Sequence, residues 1–221
     1  MPLLYTIGQY TLGPVIRLAL RPSVEGLENV PATGGAVLAG NHLSVADEYL
    51  MGAVVPRHIA FWAKSDYFTG TGVRGRAMAT LMHGLGAIQV NRDGGRAALY
   101  ALDAAIPALR AGDLVGVYPE GTRSPDGRLY RGRTGAARLA VLAEVPVIPV
   151  GVIGSEKIQP IGSVIPRLGV PVTIRFGKPM EFTGRGIDGS SLRAITDEIM
   201  AEIRALTGQE YVGRYAPRRP S

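Results

Sequence analysis

The run of small and apolar residues Ala36–Gly40 is followed at once by a polar cluster that ends at Asp47. The run has the length of a buried strand, and residues 45–55 have the composition of a helix. His42 therefore falls in the turn between the two, where catalytic side chains are commonly carried. Ser44 is a candidate N-cap, which puts Asp47 at the third helical position. Because His42 precedes the helix, the carboxylate of Asp47 can fold back towards its ring.

Two interpretations of this pair are open at this point. A histidine oriented by a carboxylate is the usual general base, because the carboxylate fixes the tautomer and stabilises the imidazolium that forms. Alternatively, Ser44 and Asp47 form only a capping box, and His42 is an ordinary turn residue.

The composition limits the chemistry that the chain can carry. Its 221 residues, 46% of them hydrophobic, suit one globular domain with a small appendage. With no cysteine and three scattered histidines, disulfides, thiolate metal sites and a cysteine nucleophile are excluded, and we expect no metal or cofactor. The net charge of +6 favours anionic partners such as lipid or phosphorylated substrates. Nucleic acid is a weaker candidate, because the arginines are dispersed and no nucleic-acid-binding motif is present.

Further apolar runs predict strands that alternate with helices. The predicted strands begin at Val24 and cover 58–64, 86–92, 114–119, 145–152 and 170–176, and the predicted helices cover 96–110, 134–143 and 192–206. Pro146 and Pro149 suggest that the run 145–152 lies at a sheet edge or is irregular. The alternation predicts an α/β sheet covered on both faces.

Polar residues follow several of these strands directly. His42, Lys64, Arg92 and the turn Glu120–Arg123 all stand at predicted strand ends. Ligands of α/β sheets bind beyond the carboxyl ends of the strands, so four candidates at one edge favour a site. In the turn 120–123, Gly121 lets backbone N–H groups approach an anion and Arg123 can form a forked contact with phosphate. The alternative is a surface turn with a local Glu–Arg pair.

The cluster Arg128, Arg131 and Arg133 is either solvated surface or the wall of a polyanion site.

Residues 1–20 are apolar with a single charge, Arg17, and are interrupted by glycine and proline. They favour an interfacial helix with Arg17 and Arg21 at the headgroup level over a spanning helix. The alternative is that this segment packs on the core. We therefore expect a membrane-associating segment at 1–23 and a domain at 24–221, with a mobile basic tail from about 214.

These motifs resemble those of the glycerolipid acyltransferases, specifically the bacterial 1-acylglycerol-3-phosphate acyltransferases of the PlsC type. The resemblance covers roughly residues 24–180. The family's N-H-x-S-x-x-D block matches 41–47, its apolar strand ending in Arg matches 86–92, its F-P-E-G-T-R-S block matches 118–124 with Tyr for Phe, and its V-P-[VI]-[VI]-P-V run matches 145–150.

The resemblance implies a single α/β domain with a mixed, largely parallel central sheet flanked by helices. It implies transfer of an acyl group from acyl-CoA or acyl carrier protein to the free hydroxyl of lysophosphatidic acid, giving phosphatidic acid. His42 would be the base and Asp47 would hold it, without an acyl-enzyme. That agrees with the absence of cysteine and of a G-x-S-x-G elbow.

The resemblance also suggests how the acceptor is held. Arg92 and Arg123 would bind its phosphate, Glu120, Gly121 and Thr122 would shape that pocket, and Lys64 would lie on the same rim. The protein would be peripheral or monotopic on the cytoplasmic face of the plasma (inner) membrane. Three alternatives remain: the same chemistry on another lysolipid, such as a lyso-ornithine lipid, a hydrolase, or a non-catalytic basic lipid-binding protein.

Overall fold

The structure is a computed structural model that describes residues 2–64, 66–90 and 102–217. In chain order its strands are β1 (Ser23–Glu25), β2 (Ala36–Gly40), β3 (Ile59–Ala60), β4 (Trp62–Lys64), β5 (Ile88–Val90), β6 (Leu114–Val117), β7 (Leu129–Tyr130), β8 (Val147–Ile153), β9 (Thr173–Phe176) and β10 (Tyr211–Val212). The helices are α1 (Leu3–Leu20), α2 (Ala46–Val54), α3 (Asp66–Thr69), α4 (Gly72–Gly84), α5 (Ile106–Arg110), α6 (Gly135–Ala143), α7 (Ser155–Ile158) and α8 (Gly189–Thr207).

Six of the described strands form one sheet in the order β1-β9-β8-β2-β6-β3. The neighbours are parallel except for β8 and β9, which are antiparallel. Two parallel pairs, β4 with β5 and β7 with β10, lie outside this sheet. The mixed, largely parallel α/β architecture that the sequence predicted is confirmed.

The central strand β2 explains why both faces of the sheet are covered. All five of its residues are buried, and none is polar, so the strand is stable only between two apolar layers. Val37 and Ala39 pack towards α5, α6 and α8, whereas Ala36 and Leu38 pack towards α1, α2 and α7. The parallel strands on either side of β2 bring their carboxyl ends to one edge.

The run 145–152 does not lie at a sheet edge, so the edge position, one of the two that its prolines suggested, was wrong. β8 sits inside the sheet, between β2 and β9. Pro146 precedes the strand, and its carbonyl accepts a hydrogen bond from the N–H of Val37. Pro149 lies just past the last paired residue of β9, where its carbonyl accepts from Gly177. Proline lacks only the N–H, and at these two positions the contacts use the carbonyl.

The predicted strand 58–64 is divided in two at Phe61. β3 pairs with β6 in the main sheet, whereas β4 leaves it and pairs with β5. The Phe61 ring lies over Gly116, where an added Cβ would approach it to 2.3 Å. One apolar run thus contributes strands to two different sheets. The composition of the run does not indicate this division.

Helix α1 packs on the core with one face and exposes the other. One face packs on α2, where Gly13 approaches the backbone of Ala53 and Gln9 Nε2 donates to the Val55 carbonyl over 2.6 Å. The opposite face is apolar and exposed: Leu3, Leu4, Ile7, Tyr10, Leu12, Val15 and Leu18. Among the described residues, no helix has the length and hydropathy needed to cross a bilayer.

Candidate active site

Asn41 fixes the start of the loop that carries the histidine. It is fully buried at the end of β2, and its side-chain amide both donates to the carbonyl and accepts from the N–H of Val152 on β8, each over 2.8 Å. This two-way contact substitutes for the sheet ladder where the chain leaves β2. The backbone at residue 42 is therefore set by the sheet.

The predicted contact between His42 and Asp47 is present. His42 Nδ1 lies 2.8 Å from Asp47 Oδ2, and the same oxygen accepts the backbone N–H groups of Leu43 and Ser44 over 2.8 and 2.9 Å. Asp47 is fully buried, while the His42 side chain is 14% exposed. An ionised carboxylate can only accept, so Nδ1 carries the proton and Nε2 of the neutral ring is left as the basic nitrogen.

Helix α2 begins at Ala46, which makes Asp47 its second residue rather than its third. The hydroxyl of Ser44 holds the turn before this helix. Its Oγ accepts from the N–H of Ala46 and donates to the carbonyl of Gln159 over 2.6 Å. The loop is thus joined to the chain that follows α7.

Tyr118 is a site residue that the sequence reasoning did not single out. Its ring stacks on His42 with centroids 3.9 Å apart and planes inclined by 11°. Burial raises the pKa of its hydroxyl well above the usual value, and no hydrogen-bond partner for it lies within the described residues. The one substitution in the family's third block, Tyr for Phe, was the signal for this position.

Glu120 joins the loop that carries His42 to strand β7 and does not face outward. It is almost fully buried, and its two carboxylate oxygens accept the backbone N–H groups of His42 over 3.2 Å and Tyr130 over 3.0 Å. Burial raises the pKa of Glu120 to about 7, although both N–H groups oppose the rise. A second contact, from the N–H of Ser124 to the carbonyl of His42 over 2.7 Å, fixes the 120–124 turn beside the histidine.

The same turn presents the predicted acceptor-binding residues. Gly121 has φ +74°, and an added Cβ would meet Arg133 Nε at 3.0 Å, so a side chain here would be strained and crowded. Thr122 and Arg123 are half-buried, and within the described chain no ion pair involves Arg123. The local pair of Glu120 with Arg123, one of the alternatives considered, is not formed.

The cluster Arg128, Arg131 and Arg133 is divided by its contacts. Arg128 is paired with Asp126 over 2.7 Å and with Glu210 over 3.4 Å. The guanidinium groups of Arg131 and Arg133 lie over the Tyr215 ring, at 5.4 and 5.0 Å from its centroid. Residues 214–217, expected to begin a mobile tail, thus contact the chain around β7.

Two predicted site residues receive no test from the structure. Lys64 ends β4, and its side chain is outside the described part of the molecule. Arg92 falls in the stretch 91–101, which also lies outside the described residues. Their proposed contacts with the acceptor phosphate stay predictions.

A cleft with a volume of about 330 Å³ opens beside the loop that carries His42. One wall is formed by Leu43 and by Ser124 to Gly127, and the other by Glu156, Pro160 and Ile161. Since Leu43 follows His42 directly, a substrate in this cleft would lie next to the histidine.

Comparison with known proteins agrees with this geometry. The Acyltransferase family model matches residues 21–153, which is more than half of the chain. A chloroplastic 1-acyl-sn-glycerol-3-phosphate acyltransferase of Arabidopsis thaliana is 34% identical over 142 residues, or 64% of this chain and 38% of the plant protein. The corresponding enzyme of Bacillus subtilis is 29% identical over 136 residues, covering 60% of this chain and 63% of that protein.

The fold is similar as well. The crystal structure of the 1-acyl-sn-glycerophosphate acyltransferase PlsC from Thermotoga maritima aligns with a TM-score of 0.64 and 28% identity, covering 88% of this chain and 76% of that one. The chain spans about two fifths of the length of the Arabidopsis relative. The matched region carries the histidine loop, the 118–124 turn and the strands between them, and on this basis the chain belongs to the acyltransferase family.

Proposed function

We propose that this protein transfers an acyl group from a thioester, acyl-CoA or acyl carrier protein, to the free hydroxyl of 1-acylglycerol-3-phosphate, with phosphatidic acid as the product. The observation that carries the proposal is the 2.8 Å contact between His42 Nδ1 and Asp47 Oδ2. A buried carboxylate on Nδ1 leaves Nε2 free to accept a proton, and this arrangement suits a general base.

The reaction proceeds by direct transfer. His42 Nε2 takes the proton of the acceptor hydroxyl while that oxygen attacks the thioester carbonyl carbon. The new C–O bond forms, the C–S bond breaks, and the proton on Nε2 passes to the departing thiolate. Asp47 stabilises the imidazolium between the two proton transfers, because its charge is held by two further N–H donors and cannot turn away.

The acceptor phosphate is bound by arginine in this proposal. Arg123 follows the turn that the Ser124–His42 backbone contact holds beside the base, and no described carboxylate pairs with it. Guanidinium groups bind phosphate monoesters with two parallel hydrogen bonds, which fixes the orientation of the glycerol hydroxyl. Arg92 and Lys64 are proposed to complete this pocket, with Glu120, Gly121 and Thr122 shaping it.

The protein is proposed to work at a membrane surface, on the cytoplasmic face of the plasma (inner) membrane. Support comes from the apolar outer face of α1 and from α4, which packs beside it and exposes Val73, Met78 and Leu81. Arg74 and Arg76 on α4 are also exposed, so that apolar and basic groups share this surface. Such a combination binds anionic bilayers without spanning them.

The test is release of free thiol from palmitoyl-CoA with and without lysophosphatidic acid, in the wild type and in His42→Ala. Acceptor-dependent release that is lost in the variant supports both the activity and the base. Release without acceptor would indicate a thioesterase. If neither palmitoyl-CoA nor a palmitoyl carrier protein is consumed, the acceptor is another lysolipid or the protein is non-catalytic. Lipid binding that survives His42→Ala, with no transfer to any lysolipid by the wild type, would support the non-catalytic alternative.

A further inference from the structure

A second apolar surface lies far along the sequence from α1, in the loop of residues 160–169. Four of its side chains are exposed, Ile161 by 39%, Val164 by 87%, Ile165 by 78% and Leu168 by 67%. Isolated aliphatic residues are common on protein surfaces, but four in one short loop form a patch. We call residues 160–169 the apolar loop.

The apolar loop is held in place by its own hydrogen bonds. Gln159 Nε2 donates to the carbonyls of Ser163 and Val164, each over 3.1 Å, and the N–H of Arg167 donates to the carbonyl of Ile158 over 2.8 Å. Ser163 Oγ donates to the carbonyl of Ile165 over 3.0 Å. The fold thus presents the apolar tip in a defined conformation and does not turn it inward.

The base of this loop is joined to the catalytic loop. The Gln159 carbonyl accepts from Ser44 Oγ, and its side-chain oxygen accepts from the Tyr49 hydroxyl on α2 over 3.2 Å. Pro160 and Ile161 form one wall of the cleft next to His42. The apolar tip therefore stands at the entrance of the site.

The segment that carries the loop has charges of one sign. Residues 157–180 contain no aspartate or glutamate, and Lys157 and Arg167 are exposed. Glu156 and Asp126, in contrast, line the cleft beside the loop. Aliphatic side chains between cations match the interior and the anionic headgroups of a bilayer. A surface that binds a protein partner would instead be expected to carry aromatic anchor residues, and the apolar tip has none.

We propose that the apolar loop inserts into the surface of an anionic lipid bilayer, as a membrane contact separate from α1 that brings the mouth of the cleft to the lipid. The proposal rests on the proposed function, because a lysolipid acceptor and its product both reside in the bilayer. Helix α1 packs on α2, and Gln159 at the base of the apolar loop accepts a hydrogen bond from Tyr49 of α2, so both proposed contacts adjoin the same helix. A lysolipid then moves from the membrane along Ile161 to His42 without crossing water.

The first experiment exploits the absence of cysteine from the chain. Ile165→Cys and the control Glu202→Cys, on α8 at the other face of the sheet, are each labelled with an NBD fluorophore. Vesicles of phosphatidylcholine with phosphatidylglycerol should raise the emission at 165 several-fold, and doxyl-labelled lipid should quench it, with no change at 202. An equal response at both positions, or none at either, overturns the proposal, as does a response at 165 only to an acidic acyl carrier protein.

The second experiment separates this contact from the chemistry. Val164→Asp with Ile165→Asp should lower partitioning to these vesicles about tenfold or more, because charge replaces apolar area. It should slow the reaction on vesicle-bound lysophosphatidic acid but not on a short-chain, monomeric one. The control is Ile187→Asp, which charges a single exposed aliphatic residue outside the loop. Unchanged vesicle binding by the double variant overturns the proposal. Failure of the proposed function would appear differently, as a wild type that inserts the loop but transfers no acyl group.

Discussion

Tyr118 lies flat against His42, with ring centroids 3.9 Å apart. Because Asp47 holds the edge of the imidazole and Tyr118 covers one face, the ring has little freedom to rotate. The buried tyrosine hydroxyl contributes nothing visible to this arrangement, since no hydrogen-bond partner for it lies within the described residues. Among the described residues, Tyr118 contacts His42 through its aromatic face and not through its hydroxyl.

We therefore expect Tyr118→Phe to keep its activity. Removing a buried, unpaired hydroxyl should leave the free energy of unfolding unchanged or raise it by about 1 kcal/mol. Tyr118→Leu, which loses the stack, should lower both kcat and stability. Thermal unfolding and steady-state kinetics of the two variants check this. A tenfold or larger loss of kcat in Tyr118→Phe would instead mean that the hydroxyl takes part in the reaction.

Asp47→Asn should separate the charge of Asp47 from its structural contacts. All three donors meet one oxygen, Oδ2, so an asparagine carbonyl can accept the same bonds. The negative charge that stabilises the imidazolium is lost, and we expect kcat to fall by about 10²- to 10⁴-fold. The acceptor KM should change little, and the circular dichroism spectrum should remain that of the wild type.

Asp47→Ala is the comparison that makes this test specific. It also removes the acceptor for the N–H groups of Leu43 and Ser44, and should unfold at lower temperature than Asp47→Asn. If both variants lose activity only in proportion to lost stability, the contact is structural and the charge of Asp47 does not assist His42.

The titration of the buried Glu120 carboxyl should make the stability of the protein depend on pH. Burial raises its pKa from near 4.5 to about 7, so between these values the folded state binds a proton that the unfolded state has lost. The contribution of Glu120 to the free energy of unfolding is therefore fully present below the pKa of the unfolded state. It declines as the pH rises towards 7, by up to about 3 kcal/mol in total. Denaturant unfolding at several pH values measures this slope.

Glu120→Gln removes the titration and should flatten the slope in that window. It also turns an amide NH2 towards one of the two backbone donors, so the variant should lose about 1–3 kcal/mol at low pH. An unchanged slope would show that another group is responsible for the pH dependence.

Much of this site was readable in the sequence because its spacing is local. The five-residue interval between His42 and Asp47 spans one turn and the start of one helix, so the contact follows from strand–helix geometry. The parallel sheet likewise follows from alternating strands and helices, and parallel neighbours must end at one edge.

What the sequence could not supply depends on pairing between distant segments. The stacking of Tyr118 on His42 requires β6 to lie beside β2. The interior place of β8 requires Pro149, which has no N–H to donate, to lie just past the last residue that pairs with β9. Likewise, nothing in the sequence indicated that the carboxylate of Glu120 accepts the backbone N–H groups of His42 and Tyr130. Register decides these cases, and composition does not encode it directly.

Arg123→Ala should raise the KM for lysophosphatidic acid about 10- to 100-fold with a smaller effect on kcat, because a charge-assisted contact with phosphate is lost. The matched control is Arg128→Ala, five residues away in the same segment. Arg128 is already paired with Asp126 and Glu210, so its removal should leave KM nearly unchanged. An equal rise of KM in both variants would indicate a general effect of charge, and no rise in either would remove Arg123 from the acceptor site.

The outer face of α1 can be tested without removing the helix. Deleting residues 1–20 would also expose the core that Ile16 and Leu20 cover, so a loss of binding would be ambiguous. Ile7→Gln with Leu18→Gln changes only exposed positions. It should weaken vesicle binding by at most about 3–6 kcal/mol, because each of the two aliphatic side chains contributes roughly 1.5–3 kcal/mol when fully buried. The melting temperature should stay within a few degrees of the wild type. Ile16→Ala is the opposite control: it should lower the melting temperature and leave vesicle binding of the folded protein intact. Retention of full vesicle binding by the double glutamine variant would show that α1 is not a membrane contact.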